Sequence, residues 1–216
     1  MFRRIFIVAV MFAIAPAFAN AAGWAEVLTP TNQTLYGVDQ SGDTMFAVGG
    51  GGNVIRSEDE GLTWELLTTP VETTLYDVDI VTSSTIVVVG AGGEIIRSTD
   101  GGDEWSEVSV SGLSSSEQDA GLRAVTFPSS SIGVAVGEEG VILKTTNGGG
   151  QWDAIDSPTD KTIRNIMYTS GDMWFVGDGG IIYKSEDKGD TWELLSSGTT
   201  KDLYTVRFVD SSDGWA

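Results

Sequence analysis

The sequence has no cysteine and no histidine among its 216 residues. Without cysteine, a disulfide scaffold, a thiol nucleophile and a lipid anchor on a cysteine at an export cleavage site are all excluded. Without histidine, the usual Cys and His zinc sites, His general bases and Ser-His-Asp triads are excluded as well. We therefore expect neither a metal site nor a cofactor.

Long apolar runs are scarce too, and only one is present, near the N-terminus. It extends from Ile5 to Phe18 and follows Arg3 and Arg4. A membrane-spanning helix needs about 20 apolar residues. This run is shorter and ends in small residues that fit a cleavage site, such as Ala17-Phe18-Ala19. We therefore predict a secretory signal peptide over residues 1–21, export of the mature chain and no membrane span after cleavage.

Basic residues are the third shortage, with 12 Lys and Arg against 31 Asp and Glu. Removal of Arg3 and Arg4 with the signal peptide leaves a formal charge of −21. Such a surface repels the phosphates of nucleic acids and anionic lipids, so we expect neither as a partner. The acidity itself fits simple solubility, a basic partner or loosely held cations.

The sequence is rich in glycine, with 28 residues, and in short apolar runs that recur along the chain. The first runs of successive units begin 40, 47, 41 and 40 residues apart, at Leu35, Leu75, Leu122, Ile163 and Leu203. Strand-like runs with turn signals that repeat about every 40 to 45 residues indicate four-stranded β-propeller blades. We therefore predict an all-β propeller domain over residues 22–216. Its blades are predicted at about 34–73, 74–121, 122–161 and 162–201, with a partial blade at 202–216.

Each unit closes with the pattern Ser/Thr-x-Asp/Asn-x-Gly-x-x-Trp, which is the Asp-box or BNR repeat. In this turn the Asp or Asn and the hydroxyl accept backbone N–H groups, the glycine takes a positive φ and the tryptophan buries its ring. We therefore interpret these residues as scaffold and not as catalytic groups or calcium ligands. The four copies are Ser57, Asp59, Gly61, Trp64; Ser98, Asp100, Gly102, Trp105; Thr145, Asn147, Gly149, Trp152; and Ser185, Asp187, Gly189, Trp192.

The two ends of the repeat region predict an incomplete ring. Trp24 to Val27 resembles the strand that follows each Asp-box, so residues 24–28 are predicted to be the outer strand of a last blade. Gly214 follows Val206 by eight residues, and in the third unit Gly133 follows Val125 by the same number, at the start of a predicted strand. The sequence therefore stops inside a strand, and we expect about four and a half blades of a propeller truncated at its C-terminus. A natural short form that closes by oligomerising is the alternative.

The repeats resemble the photosystem II stability and assembly factor family of Asp-box propellers. The pattern from Val89 to Trp105 and the strand entry from Phe208 to Ala216 carry the resemblance. It implies a seven-bladed propeller that is monomeric when intact and is located in the periplasm, in the thylakoid lumen or outside the cell. The photosynthetic members are non-enzymatic helpers that bind photosystem II intermediates, including the precursor of D1. The resemblance thus implies a protein partner, such as a subunit of a membrane complex.

A candidate partner-binding set lies near the start of each inner strand, opposite the Asp-box turns. Tyrosine and arginine are enriched among interface anchors, although ordinary strand-end packing is the alternative. The family's basic surface patch is matched only in part. The set comprises Tyr36, Tyr76, Arg123, Arg164 and Tyr204.

Further residues are predicted to have roles from their place in the repeat. The same face carries the acidic turn residues Glu94, Glu138, Glu139 and Asp178. It also carries the Ser109–Gly121 insertion, which is either a recognition loop or a mobile loop without function. One basic residue before each Asp-box is predicted to pair with a neighbouring blade; these are Arg56, Arg97, Lys144 and Lys184.

Catalysis is the main alternative to partner binding, because sialidases and xyloglucan hydrolases also carry Asp-boxes. This chain lacks the Arg-Ile-Pro entry of sialidases, and its arginines fall at repeat positions. No unrepeated carboxylate pair of the kind that glycosidases need stands out. We therefore predict a non-enzyme; a secreted glycan-binding or glycan-cleaving propeller and a cell-surface repeat protein remain as alternatives.

Overall fold

A computed structural model of the chain describes residues 26–209 and 213–216. The described part is built of β-strands and short 3-10 turns, so the all-β prediction is confirmed. The predicted signal peptide and Trp24 lie outside the described residues. No helix in the described ranges is long and apolar enough to cross a membrane.

The strands form four consecutive antiparallel sheets, which we call blades 1 to 4. Blade 1 contains β1 (Leu35–Ser41), β2 (Thr44–Gly49), β3 (Val54–Ser57) and β4 (Glu65–Leu67). Blade 2 contains β5 (Leu75–Ile80), β6 (Ile86–Gly90), β7 (Ile95–Ser98) and β8 (Ser106–Glu107). Blade 3 contains β10 (Leu122–Thr126), β11 (Gly133–Gly137), β12 (Ile142–Thr145) and β13 (Trp152–Ala154). Blade 4 contains β14 (Ile163–Thr169), β15 (Asp172–Gly177), β16 (Ile182–Ser185) and β17 (Glu193–Leu195).

The second strand of each blade packs on both of its faces. In β6 every residue is buried, which explains its continuous apolar sequence Ile-Val-Val-Val. Three apolar clusters fill the spaces between blades 1 and 2, blades 2 and 3, and blades 3 and 4. The innermost strands also contact in series, β1 with β5, β5 with β10 and β10 with β14. The sheets are therefore arranged radially, as the propeller prediction requires.

A glycine-rich 3-10 turn joins the second and third strands of each blade. These turns span Gly50–Gly52, Ala91–Gly93, Glu138–Gly140 and Asp178–Gly180. The last residue of the turn must be glycine, as Gly140 illustrates: its φ is 74° and a Cβ there would lie 2.0 Å from the carbonyl oxygen of Thr159. Close approach of the blade connection to the turn thus explains the repeated glycines.

The structure differs from the sequence prediction in the fifth unit. The predicted strand from Leu203 to Val206 is wrong: the strand β18 starts only at Arg207 and covers Arg207–Phe208, paired with β19 (Gly214–Trp215). In the four blades the first residue of the inner strand pairs with the glycine that ends the second strand. Leu203 has no such strand partner among the described residues, so its backbone stays outside the ladder.

The insertion after blade 2 is not a free loop. Its residues Val110–Ser111 form β9, which pairs in parallel with β13 and gives blade 3 a fifth strand on its outer edge. Val110, Leu113 and Ala120 pack against the apolar cluster between blades 2 and 3. The predicted mobile or recognition loop is therefore in large part a structural cover for the edge of blade 3.

Candidate partner-binding surface

Two opposite faces of the propeller are defined by the strand pairing. The inner strands begin beside the 3-10 turns, because Leu35 pairs with Gly49 and the other blades repeat this register. The Asp-box turns join the third and fourth strands at the other end. We call the first the mouth face and the second the Asp-box face. The predicted partner-binding residues belong to the mouth face.

Four of these residues occupy one special backbone position. In β1 the register shifts between Leu35 and Gly37, so Tyr36 is the extra residue of a β-bulge. The other inner strands shift at the equivalent place, which makes Tyr76, Arg123 and Arg164 bulge residues too. A bulge interrupts the ladder and redirects a side chain, and bulges are frequent next to functional sites. The same feature thus presents one tyrosine or arginine from each blade.

The side chains of this set meet in two groups. The rings of Tyr36 and Tyr76 make an edge contact with centroids 5.8 Å apart. The Arg123 guanidinium lies over the Tyr76 ring, 4.3 Å from its centroid, and that of Arg164 lies over Tyr204 at 4.5 Å. Arginine held over an aromatic face keeps its planar donor fork in a fixed orientation. The mouth face therefore carries a Tyr-Tyr-Arg row and an Arg-Tyr pair.

Acidic turn residues hold both arginines. Glu138 forms an ion pair with Arg123 and also accepts the backbone N–H of Gly121 at 3.0 Å. Burial acts to raise the pKa of Glu138, but the Gly121 hydrogen bond and the Arg123 charge outweigh it and lower that pKa. Asp178 pairs with Arg164 in the same way. The arginines are thus pre-oriented and remain partly accessible.

The surface offers contacts of two kinds. Tyr36 is 57% and Tyr204 is 68% exposed, so both rings present broad amphipathic surfaces to solvent. The guanidinium groups of Arg123 and Arg164 are partly exposed, with 32% and 28% of their side chains accessible, so they can donate hydrogen bonds. The carbonyl oxygens of an extended peptide can accept hydrogen bonds from the arginines, and its side chains can pack on the tyrosine rings. The arrangement fits the binding of a protein segment.

The Asp-box turns bond their own hydroxyl and Asp or Asn oxygens in all four blades, and their Trp indole N–H in blades 1 and 2. In blade 1 the Oγ of Ser57 accepts the N–H of Gly61 at 2.8 Å, and Asp59 accepts the N–H of Thr63 at 2.8 Å. Trp64 donates its indole N–H to the carbonyl of Gly61 at 3.0 Å. The hydrogen bonds from Thr63 hold the pKa of the Asp59 carboxyl below its ordinary value. These carboxylates serve their own turns and do not converge on a cavity.

Comparison with known proteins gives this geometry a family context. Residues 62–161 match the model of the photosynthesis system II assembly factor YCF48 family. Over these residues the repeats are similar to those of photosystem II assembly factor-like Asp-box propellers. No curated protein sequence matches the chain.

Solved structures share the propeller fold of this chain. YCF48 bound to a D1 peptide is 20% identical, with a TM-score of 0.66 over 82% of this chain and 59% of that one. YCF48 from Cyanidioschyzon merolae is 22% identical, with a TM-score of 0.64 over 83% and 62%. An ancestral GH74 enzyme is 15% identical, with a TM-score of 0.66 over 84% and 28%. The chain thus spans about three fifths of the YCF48 structures, and these likenesses show the fold alone.

Sequence reasoning missed one feature of the propeller, a group of aspartates on the inner strands. Asp39 accepts the backbone N–H of Ile80 in the next blade at 2.7 Å. Asp77 and Asp79 likewise accept backbone N–H groups of blade 3, at 3.0 and 3.1 Å. The signal was present in the alternating Asp-x-Asp of β5, which puts both carboxylates on one side of the strand. The inner aspartates therefore fasten one blade to the next.

Crowding of these carboxylates perturbs their ionisation. Loss of hydration raises the pKa of Asp77 to about 7, assisted by the charge of Asp39 and opposed by the Val125 hydrogen bond and the charge of Arg207. Loss of hydration and the charge of Asp39 also raise the pKa of Asp79 to about 7. Both side chains keep partial contact with solvent, so they are recessed but not sealed.

The basic residue before each Asp-box has the predicted structural role in three blades. Arg56 binds the carbonyl of Gly101 and the carboxylate of Asp103, both at 2.8 Å in the Asp-box turn of blade 2. Arg97 donates to the carbonyl of Gly148 at 2.8 Å, and Lys144 pairs with Asp190 in blade 4. Lys184 instead pairs within its own blade, with Asp172 and Glu186. The Asp-box face is therefore tied together from blade to blade.

Proposed function

We propose that this chain is an exported, non-catalytic propeller that binds an extended segment of a protein partner on its mouth face and acts as an assembly factor. The β-bulge row carries the proposal, because it directs Tyr36, Tyr76 and Arg123 to one surface and orients them there. Rigid aromatic rings and oriented arginines supply most of the binding energy at protein interfaces.

The family context supports a subunit of a membrane complex as the partner. One of the similar solved proteins is YCF48 bound to a D1 peptide. By analogy, we propose a photosystem II intermediate as the partner if the chain comes from a phototroph. In another exported setting a different membrane-complex subunit takes that place.

Peptide binding by single-site variants tests the mouth face. The probe is a fluorescent peptide with the sequence of the D1 tail, titrated with the intact protein and followed by anisotropy. Tyr36→Ala is expected to weaken binding about fivefold or more, because truncation of an anchoring interface aromatic costs above about 1 kcal/mol. Leu62→Ala is the control, since Leu62 is 73% exposed on the Asp-box face. Equal effects of the two substitutions would refute binding at the mouth.

Glycoside hydrolysis is a second candidate, favoured by one observation. Asp77 and Asp79 have pKa values raised to about 7, as a general acid requires. One oxygen of each is nevertheless occupied by a backbone N–H of blade 3. We expect no hydrolysis of xyloglucan or sialosides by the purified protein. Turnover that disappears in Asp77→Asn would reverse this assignment.

A further inference from the structure

A shallow groove follows the outer edge of blade 4 on the mouth face. It has a volume of about 630 Å³, and its lining includes Leu194 of β17 and Ile181. Lys161 and Lys201, from the connections before and after blade 4, flank it. The groove continues to the arginine of the mouth, because Asp202 accepts the N–H of Gly179 at 2.9 Å and lies 3.8 Å from Arg164.

The two lysines give this groove a local positive charge. Five of the basic residues in the described ranges are engaged in ion pairs, namely Arg56, Arg123, Lys144, Arg164 and Lys184. Lys161 and Lys201 form no ion pair within those ranges, although acidic residues outnumber basic ones 31 to 12 in the chain. Two cations that have no ion pair in the described part of so acidic a protein are suited to carboxylates supplied from outside.

The backbone holds these lysines in equivalent positions. The N–H of Lys161 donates to the Oγ1 of Thr159 at 3.2 Å, and that of Lys201 to the Oγ1 of Thr199 at 3.1 Å. The Lys161 ammonium also lies against Gly179, where a Cβ would come within 2.7 Å of it. The two charges are therefore presented from fixed turns on either side of the groove.

The outer edge of blade 4 is free to accept a strand. In the described structure β17 is bonded only to β16, whereas the equivalent β13 of blade 3 carries β9 in parallel. A Cβ placed on Gly112, which follows β9, would lie 3.5 Å from the Cβ of Ala154. The segment after β9 therefore runs close against β13. Leu194 is the repeat equivalent of Ala154 and is 62% exposed. The chain itself thus shows how an extended segment lies along such an edge.

We propose that this groove binds an extended acidic peptide, which lies along β17 as β9 lies along β13 and places its carboxylates at Lys161 and Lys201. The proposal rests on the proposed function and specifies the chemistry of the bound segment. Main-chain hydrogen bonds to a sheet edge supply affinity, and the charges supply selectivity. Screening limits charge interactions to about 8 Å at physiological salt, so the lysines compete mainly with the nearby carboxylates and not with the charge of the whole protein. The nearby Asp178 and Asp202 are already bonded to Arg164 and to the N–H of Gly179, which leaves the lysines for a peptide.

A charge-reversal experiment tests the groove. The probe is a fluorescent peptide of about ten residues with alternating Glu and Val, which is long enough to span a strand of typical length. We expect Lys161→Glu combined with Lys201→Glu to weaken its binding at least tenfold, and a matched peptide with Gln in place of Glu to bind as weakly. Lys188→Glu is the control, because Lys188 is also unpaired within the described residues but lies in an Asp-box turn. Lys188 has a positive φ of 60°, and glutamate is compatible with this conformation because the equivalent residue of blade 1, Glu60, has a φ of 58°.

A second pair of variants tests the strand edge. Leu194→Glu is expected to weaken binding of the same peptide at least fivefold, while Leu66→Glu leaves it unchanged. Leu66 is the repeat equivalent on blade 1 and is 50% exposed, so neither change disturbs the core. Circular dichroism of each variant verifies that the fold is kept.

The outcomes separate this proposal from the preceding one. Loss of peptide binding in the lysine double variant but not in Lys188→Glu supports the groove. Equal binding by wild type and the double variant, or no binding of the Glu peptide to wild type, overturns it. The mouth face is tested by Tyr36→Ala and the D1-tail peptide, so it can stand when the groove fails. Conversely, if Tyr36→Ala does not change binding of the D1-tail peptide but the groove binds the Glu peptide, the mouth-face proposal fails and the groove proposal stands.

Discussion

Replacement of Asp77 by asparagine should stabilise the protein at alkaline pH. The asparagine oxygen can still accept the N–H of Val125, which the Asp77 carboxylate binds at 3.0 Å. The substitution removes a charge that is poorly hydrated and that faces Asp39 and Asp79. The carboxyl pKa of about 7 against an ordinary 3.8 sets the scale of the effect. At 1.36 kcal/mol per pKa unit the upper bound is about 4 kcal/mol, and partial solvent access reduces it to about 1–2 kcal/mol.

The sign of the pH dependence follows from proton binding. Because the folded pKa is raised, the folded state binds a proton more tightly than the unfolded chain, whose pKa stays near 3.8. The free energy of unfolding therefore falls as pH rises from about 4 to about 7, and it changes little above about 8. Asp59, Asp100 and Asp187 have lowered pKa values and behave in the opposite way, losing their contribution only below about pH 4. Maximum stability is expected near pH 4 to 5.

Urea unfolding followed by tryptophan fluorescence at pH 5 and pH 8 measures both effects. Wild type should be more stable at pH 5, and Asp77→Asn should reduce that difference by raising the pH 8 value. Asp156→Asn is the control, since it removes the same charge from an exposed residue. If Asp77→Asn lowers stability equally at both pH values, the hydrogen bond of the carboxylate outweighs its hydration cost and the reasoning is refuted.

Two further predictions concern the scaffold. Gly140→Ala should destabilise the fold by about 2 kcal/mol or more, because it adds a clash to a positive φ, whereas Gly42→Ala, with φ 62° and open space around it, should cost about 1 kcal/mol. Thermal unfolding of both variants measures this, and equal losses would contradict the clash. Arg56→Ala should cost about 1–2 kcal/mol, because it removes the bonds to Gly101 and Asp103 from a side chain only 14% exposed. Lys184→Ala, whose partners lie in its own blade, should lower stability less than Arg56→Ala in the same assay.

The sequence predicted the fold well because one supersecondary unit is repeated. The inner, middle and third strands of all four blades start within a few residues of the predicted runs. The repeat could not predict β9, because the Ser109–Gly121 insertion occurs once and its partner β13 lies about 40 residues further along the chain. The repeat pattern also wrongly predicted a strand beginning at Leu203. An apolar run at the start of a unit forms a strand only where a second strand pairs with it.

The candidate site was predictable in its residues but not in its contacts. Sequence spacing placed Tyr76 and Arg123 at equivalent positions, but no periodicity indicates that these positions are β-bulges or that one side chain stacks on the other. The carboxylates of Asp77 and Asp79 escaped notice for the same reason, since their partners are backbone N–H groups of another blade. Contacts between repeats depend on their relative rotation, which a single-repeat pattern does not encode.

Polar groups are used differently on the two faces, and this difference locates recognition. On the Asp-box face the carboxylates serve their own turns, and Arg56, Arg97 and Lys144 bind the turn of the next blade. Two indole N–H groups, of Trp152 and Trp192, lack a partner there among the described residues, but neither carries charge. Within the described ranges the mouth face instead keeps two unpaired lysines and two largely exposed tyrosine rings, whereas the Asp-box turns keep one unpaired lysine, Lys188. A partner that gains free energy from polar contacts must use groups not already bonded within the protein, which is why we propose the mouth face as its binding site.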